Sequence, residues 1–440
     1  MTTGPRRLFL GFWLAALAFV APASAEAEPL AITNVTVLTM ADDRALAGQT
    51  VVVEGERIVA MGPTAAMALP TSGRIIDGSG KVLIPGLAEM HGHIPSPATD
   101  TQEIADILFL YVANGVTTVR GMLGHLGQLQ LREQANSGEV VSPTLYLAGP
   151  SFNGNSVSSP EQARAMVRAQ VDAGWNLLKI HPGLTRAEFD AVAETANALG
   201  IRFAGHVPED VGLAQALAQS QETFDHIDGY IAYLGGEAEP VPQVELDAVA
   251  DLTREAGAWI VPTHALWEIL YGVPQLEALL AYDELKYMPK RVVTGWKNRF
   301  RPRRTNGAPT HGVRIENRDR LLKTLNDRGV PILFGTDSPQ LFSVPGFSVR
   351  REIAAMAEAG LAPYDILKSA TSNVGRYFAN EDDFGMIAPG KRADLVLLNG
   401  NPLEDLSVLD TPAAVILRGR VFDRAAIDAG LSEISARYAD

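Results

Sequence analysis

The sequence predicts an α/β protein: a (β/α)8 TIM barrel carrying a small β-sandwich domain built from both chain ends. Three observations lead there. The middle of the chain, about residues 87 to 380, alternates apolar strand candidates with amphipathic helical stretches, which is the pattern of a parallel sheet. Eight such strands fall within about 250 residues, the count and size of a closed barrel. The two flanks instead hold short β-type runs separated by tight turns. An open doubly wound sheet is the alternative, but no Gly-rich phosphate loop follows the first strand.

Composition bounds the function. A chain of 440 residues can bury a large core, and 47% hydrophobic with 20% charged residues is a globular balance. The formal net charge of -14 argues against nucleic acid or an anionic membrane surface as the main partner. A small-molecule substrate fits better. There is no cysteine, so no disulfide can form, and any metal must be held by His, Asp, Glu or modified Lys.

In chain order, residues 1–25 form a predicted signal peptide: Arg6 and Arg7, an apolar run over 8–20, and the small-residue site Ala23-Ser24-Ala25. The run is short for a membrane span. We therefore expect cleavage before Glu26, no stable membrane insertion afterwards, and a periplasmic or secreted protein. Arg6-Arg7-Leu8-Phe9-Leu10 fits a twin-arginine signal as well as an ordinary secretory one. Residues 26–84 and 381–440 make the expected β-sandwich, with runs at 30–39, 49–53, 57–61, 74–77 and 81–84, then 385–387, 393–398, 413–417 and 420–422. Residues 85–380 make the barrel, with strands expected at 87–94, 115–121, 144–150, 177–180, 202–207, 223–227, 259–263 and 331–336. Helices are expected at 160–173 and at 186–199, the latter ended by Gly200. The stretch 265–330 is too long for a simple connection and reads as an insertion at the barrel mouth. It carries a basic run, Lys290, Arg291, Lys297, Arg299, Arg301, Arg303 and Arg304, interleaved with Trp296 and Phe300. The simplest reading is a solvated or subunit-facing surface; the sharper one is a lid that attracts an anionic substrate.

The chemistry gathers at strand ends. His91 and His93, at i and i+2 on the first strand, point to one face. Neutral imidazole is the commonest ligand for zinc and similar ions. In a barrel the C-terminal ends of the strands meet over one pocket. Read in order, those ends carry His91 and His93, then Lys179 on the fourth strand, His206 on the fifth, His226 on the sixth and Asp337 on the eighth. Each has an ordinary explanation taken singly: a snorkelling lysine, a buried histidine with a backbone partner, an aspartate in a Ser-Pro turn. All six together at five strand ends read as a metal site.

The phrases Pro85-Gly86-Leu87-Ala88-Glu89-Met90-His91-Gly92-His93, Gly115-Val116-Thr117-Thr118-Val119-Arg120, Phe203-Ala204-Gly205-His206, Asp225-His226-Ile227-Asp228-Gly229 and Gly335-Thr336-Asp337-Ser338 resemble the amidohydrolase superfamily. The likeness is to its binuclear members with a lysine on the fourth strand, in the imidazolonepropionase-like and prolidase-like branch. The closing stretch from Gly385 to Val396 resembles that family's return to its small β domain, and Gly121 departs from the Asp that many relatives carry. The resemblance implies two divalent ions, zinc by default. His91, His93 and Asp337 would hold one and His206 and His226 the other, with Lys179, carboxylated by carbon dioxide, bridging them. It also implies a bridging hydroxide that attacks a carbonyl, with Asp337 as general acid/base.

Tyr230, in the loop after the sixth strand, is a candidate oxyanion donor, and Arg120 a candidate for a substrate carboxylate. His181 and His264 are expected as pocket lining, while His125 and His311 are unassigned. The expected function is an exported metal-dependent hydrolase of amide bonds in dipeptides or N-acyl amino acids. A lactonase or esterase with the same site, a deaminase, and a non-catalytic periplasmic metal-binding protein are the competing readings. A homo-oligomer is expected from the basic insertion and the habits of relatives.

Overall fold

The computed structural model describes residues 28–272, 275–301, 304–305, 308–309 and 312–439; the expected signal peptide, His311 and Arg303 lie outside them. Among the described residues, no helix is long and apolar enough to cross a membrane.

The two chain ends do pair. Leu30–Leu38, Ala45–Glu54, Arg57–Pro63, Arg74–Asp77 and Val82–Pro85 join Leu395–Leu398, Ala414–Leu417 and Arg420–Asp423 in one eight-stranded sheet. The seam is the antiparallel pair of Val82–Pro85 with Leu395–Leu398, in which Ile84 faces Val396. Val82–Pro85 is bonded on its other side to Leu30–Leu38, so hydrogen bonding runs unbroken between the two flanks, and strands from both ends share one apolar core. In Leu30–Leu38, residues 30 and 32 and then 35 and 37 fill a single apolar core. The phase slips by one at a register shift between Ile32 and Val35, where Asn34 has φ +55°.

The middle of the chain is α/β with parallel strands. Leu87–Gly92, Val116–Gly121 and Thr144–Leu147 form one sheet; Leu177–Ile180, Arg202–Gly205, Thr223–Asp225 and Trp259–Val261 form another. A bridge between Ala148 and Leu177 links the two. Most of these residues are buried on both faces, so the strands read as near-continuous apolar runs rather than alternating ones. The eighth candidate, 331–336, is not a strand. Pro331 has no N–H, and the Phe334 amide turns away to the Ser369 carbonyl, which leaves one bridge, Ile332 to Ile260. Its backbone still reaches both neighbours: Leu333 N donates to Ile260 O at 2.8 Å and Met90 N to Phe334 O at 2.7 Å.

Both expected helices have the predicted bounds because their ends are chemically marked. Pro160–Ala173 starts under a Ser159 cap, and Arg186–Leu199 starts with a Thr185/Glu188 capping box and stops at Gly200, φ +69°. Three flank and insertion readings change. Gly385 to Ile387 forms no strand; the Ile387 amide bonds to Thr39 O alone. A further helix, Arg424–Arg437, follows the last strand and is seated on the helix Thr101–Ala113, where Arg437 and Tyr438 both bond Asp106. The stretch 265–330 ends in Val313–Asp327, whose Leu321, Leu322 and Leu325 enter the main core. In the basic helix Lys290–Arg299, Trp296 and the following Phe300 pack on Phe342, while Lys297 and Arg299 are exposed, as a solvated surface requires.

Candidate metal centre

At the C-terminal ends of the parallel strands, His91, His226 and Asp337 bring one ligand atom each to within 4.8 Å of one another. His93 joins them with Nε2 2.7 Å from Asp337 Oδ1. Lys179, wholly buried, places Nζ 3.3 Å from His91 Nε2. His206 closes the group, its ring centroid 4.6 Å from that of His226. The six residues therefore meet across the span from 91 to 337.

Local backbone makes this convergence. The sixth strand ends at Asp225, and His226 and Ile227 follow at φ +64° and +53°; Asp337 has φ +60° and Thr263 φ +44°. Left-handed backbone is costly for β-branched Ile and Thr and concentrates at functional sites, where it re-aims side chains. Outer partners then orient the rings. Thr263 Oγ1 is 2.7 Å from His226 Nδ1, and Asp228 Oδ2 meets His206 Nδ1. Asp225 Oδ2 lies 2.8 Å from His91 Nδ1, off the hydrogen-bonding direction, so neither atom makes a hydrogen bond. Beneath them Glu89 accepts from His91 N, Thr336 N and Thr336 Oγ1, pinning the first strand to the 331–336 segment.

The electrostatics suit cation ligands. Burial, reinforced by neighbouring cations, holds His91 and His226 well below the ordinary histidine value, so both imidazoles are neutral. Burial also lowers Lys179, against the pull of Asp225 and Asp337. Burial works to raise Asp225, but Arg120 and Lys179 outweigh it, and its carboxyl lies below the usual range. Four imidazoles, a carboxylate and an amine face one another, with His91 Nδ1 left unbonded. That donor set, without sulfur, fits divalent transition metals.

A profile described as the Amidohydrolase family matches residues 82–422. The chain belongs to the amidohydrolase family. Adenine deaminase 3 of Rhizobium meliloti is 24% identical over 395 residues, covering 85% of this chain and 54% of the relative; the chain spans about half the length of the adenine deaminases it matches. Ochratoxinase of Aspergillus niger is 21% identical over 388 residues, covering 76% of this chain and 73% of that one. A solved Xaa-Pro dipeptidase with bound methionine in its active site superposes with TM-score 0.68 at 23% identity, covering 90% of this chain and all of that one. It shows a shared fold.

This amidohydrolase places three expected residues away from its cleft. Arg120 is fully buried below the site, with Nε on Met90 O at 2.7 Å and its other nitrogens on Tyr377, Thr223 and Asp225, and it does not line the cleft. Tyr230 is also fully buried, packed edge-on to Phe224, and its hydroxyl is taken by Thr253 Oγ1 at 2.8 Å; it cannot serve an oxyanion. His264 sits at the start of helix His264–Tyr271, where Nε2 meets Asp319 at 2.6 Å behind the cleft wall. In each case the strand-end position was legible but the direction of the side chain was not. His181 does line the cleft, stacked on His206 at 4.9 Å.

The cleft, about 640 Å³, is walled by residues that sequence reasoning missed: Asp228, Trp267, Tyr271, Arg314 and Gln340. Asp225 and Asp228 flank His226 in a quoted motif, and their spacing was the available signal. Trp267, Tyr271 and Arg314 arrive from the 265–330 stretch and carried none.

Proposed function

We propose that this chain is an exported metal-dependent hydrolase of amide bonds, acting on dipeptides or N-acyl amino acids. The supporting observation is the convergence of His91, His93, Lys179, His206, His226 and Asp337 at one mouth. On this reading the parallel strands and the 331–336 segment close as an eight-stranded barrel over residues 85–380. Residues 26–84 with 381–440 form the accessory domain, and 265–330 the mouth insertion. His91, His93 and Asp337 would hold one divalent ion, His206 and His226 a second, with a carbamate on Lys179 between them. Such ions, zinc by default, lower the pKa of water and polarise a carbonyl.

The chain's own groups do the rest. Asp337 Oδ1, held by His93, takes the proton of the attacking water and passes it to the leaving nitrogen. The C–N bond breaks, the water oxygen stays on the acyl carbon, and the amine leaves neutral. Asp228 and Thr263 keep His206 and His226 in fixed tautomers. Leu266, Trp267 and Leu270 form an apolar wall that limits water in the cleft.

The test is a screen of dipeptides, N-acyl amino acids, lactones and adenine with metal-loaded protein, alongside elemental analysis. Amine release from amides and two metals per chain are expected, and replacing Lys179 with Ala should lower the metal content. The adenine deaminase relatives favour deamination as a second reading, and ammonia from adenine without amide turnover would select it.

A further inference from the structure

His93 stands between two chambers rather than at the end of one. The larger is the 640 Å³ cleft; the smaller is about 260 Å³, and His93 and Leu123 line both. Asp337 lines the larger of the two.

The chambers differ in chemistry. In the larger, the rings of Trp267 and Tyr271 stack 5.1 Å apart at 14°. The Arg314 guanidinium lies 4.0 Å from the Tyr271 ring centre and that of Arg318 4.8 Å from Trp267. The Arg318 head is committed to the His226 carbonyl. Arg314 is the cation that lines the cleft, paired on its outer side with Glu237, itself nearly half exposed. Of the two acids of that chamber, Asp228 is taken by His206 and Asp337 by His93. The smaller chamber is walled mainly by Ile94, Ile107, Met288 and Val292, the last two from the insertion. Its one carboxylate among the described residues, Glu103, has a side chain only 11% exposed and is ion-paired with Arg291, so an ammonium group there would have to displace a guanidinium.

We propose that the preferred substrate is an N-acyl amino acid bound in a single direction. Its carboxylate is read by Arg314 and its large apolar or aromatic side chain lies on the Trp267–Tyr271 pair. The uncharged acyl group occupies the insertion-walled chamber. This deepens the hydrolase reading and rests on it. A carboxylate on a guanidinium is a charge-assisted, directional contact, whereas a free α-ammonium in the small chamber would lose its water without gaining a partner.

The experiment compares N-butanoyl-phenylalanine, its carboxamide, and the dipeptide Ala-Phe on the metal-loaded full chain. The acid should show a KM lower than the carboxamide by about 10- to 100-fold, the range for a hydrogen bond to a charged group. R314Q should raise KM for the acid by a similar factor and by clearly more than it raises KM for the carboxamide. E237Q, which keeps the cation and removes its internal counter-charge, should lower KM for the acid. V292F should narrow the small chamber and shift preference from butanoyl to acetyl. Equal KM values for acid and carboxamide, or a better rate with Ala-Phe, would overturn the assignment. If no amide is turned over at all, the hydrolase reading fails separately. Calorimetric titration with free phenylalanine, comparing wild type and R314Q, then still decides the Arg314 contact: binding weakened in R314Q upholds it, and equal or absent binding removes it.

Discussion

Buried polar side chains at the strand ends fall into two layers that treat hydrogen bonding differently. In the upper layer, His91, His93, Lys179, His226 and Asp337 face one another, and the His91 and Asp225 atoms that approach to 2.8 Å make no hydrogen bond. One layer down, Arg120 spreads its nitrogens over Met90, Tyr377, Thr223 and Asp225, and Glu89 takes up the amides of His91 and Thr336. Both layers are buried, so burial does not distinguish them. What distinguishes them is the partner: below, Arg120 and Glu89 close on backbone and supporting side chains, whereas above, His93 pairs with Asp337 and Lys179 with His91, one candidate ligand on another.

The contrast can be broken in the upper layer first. Asp337→Asn should cut turnover by about 10²- to 10⁴-fold, the range for a lost general acid/base, with far-UV circular dichroism unchanged. Asn tolerates the left-handed backbone at φ +60°, so the fold is spared. Retained rate would end the catalytic role of this residue.

The lower layer should answer in stability. Arg120→Met leaves Asp225 buried beside a missing guanidinium, and denaturant titration should show a loss of about 3–5 kcal/mol. KM should stay near wild type, because Arg120 touches no part of the cleft. A large KM change with intact stability would return Arg120 to the substrate.

A third probe lies behind the cleft wall, where Glu352 accepts the His264 and Ala265 amides. Burial pushes its carboxyl up to about 8 from an ordinary 4.5. The folded state thus holds a proton that the unfolded state releases. The stability this group contributes is full below pH 4.5 and is lost as pH rises through 8. Thermal midpoints across that window should fall in the wild type and fall less in Glu352→Gln; parallel slopes would count against it. The smallest effect is expected at Tyr230→Phe, about 1 kcal/mol of stability with kcat unchanged. Thr253 keeps its bond to Val249 O, so little is left unsatisfied. A kcat loss of tenfold there would reinstate Tyr230 as a catalytic group.

Much of this molecule was legible because its signals are local. Thr185 with Glu188 and Gly200 mark a helix at both ends, and the His91-Gly92-His93 pair needs only strand geometry to share a face. The eighth strand and the Gly385 to Ile387 strand misled because apolar runs do not reveal where amides will bond. Phe334 donates to Ser369, and Ile387 to Thr39, each far away in sequence. The helix Arg424–Arg437 was hidden by its weak amphipathic pattern, and it is held by contacts to Asp106 and the rest of helix Thr101–Ala113.

By itself the sequence determined the α/β class, the membership of both ends in one β unit, and the identity of the six converging residues. Residue type and strand period suffice for these. Only the tertiary structure decided which strand-end side chains face the cleft. It turned Tyr230 toward Thr253, drew Arg120 beneath Asp225, and brought Trp267, Tyr271 and Arg314 to the mouth. The physical reason is that a side chain's direction depends on one or two backbone angles and on partners remote in the chain, as the left-handed turns at His226, Thr263 and Asp337 show.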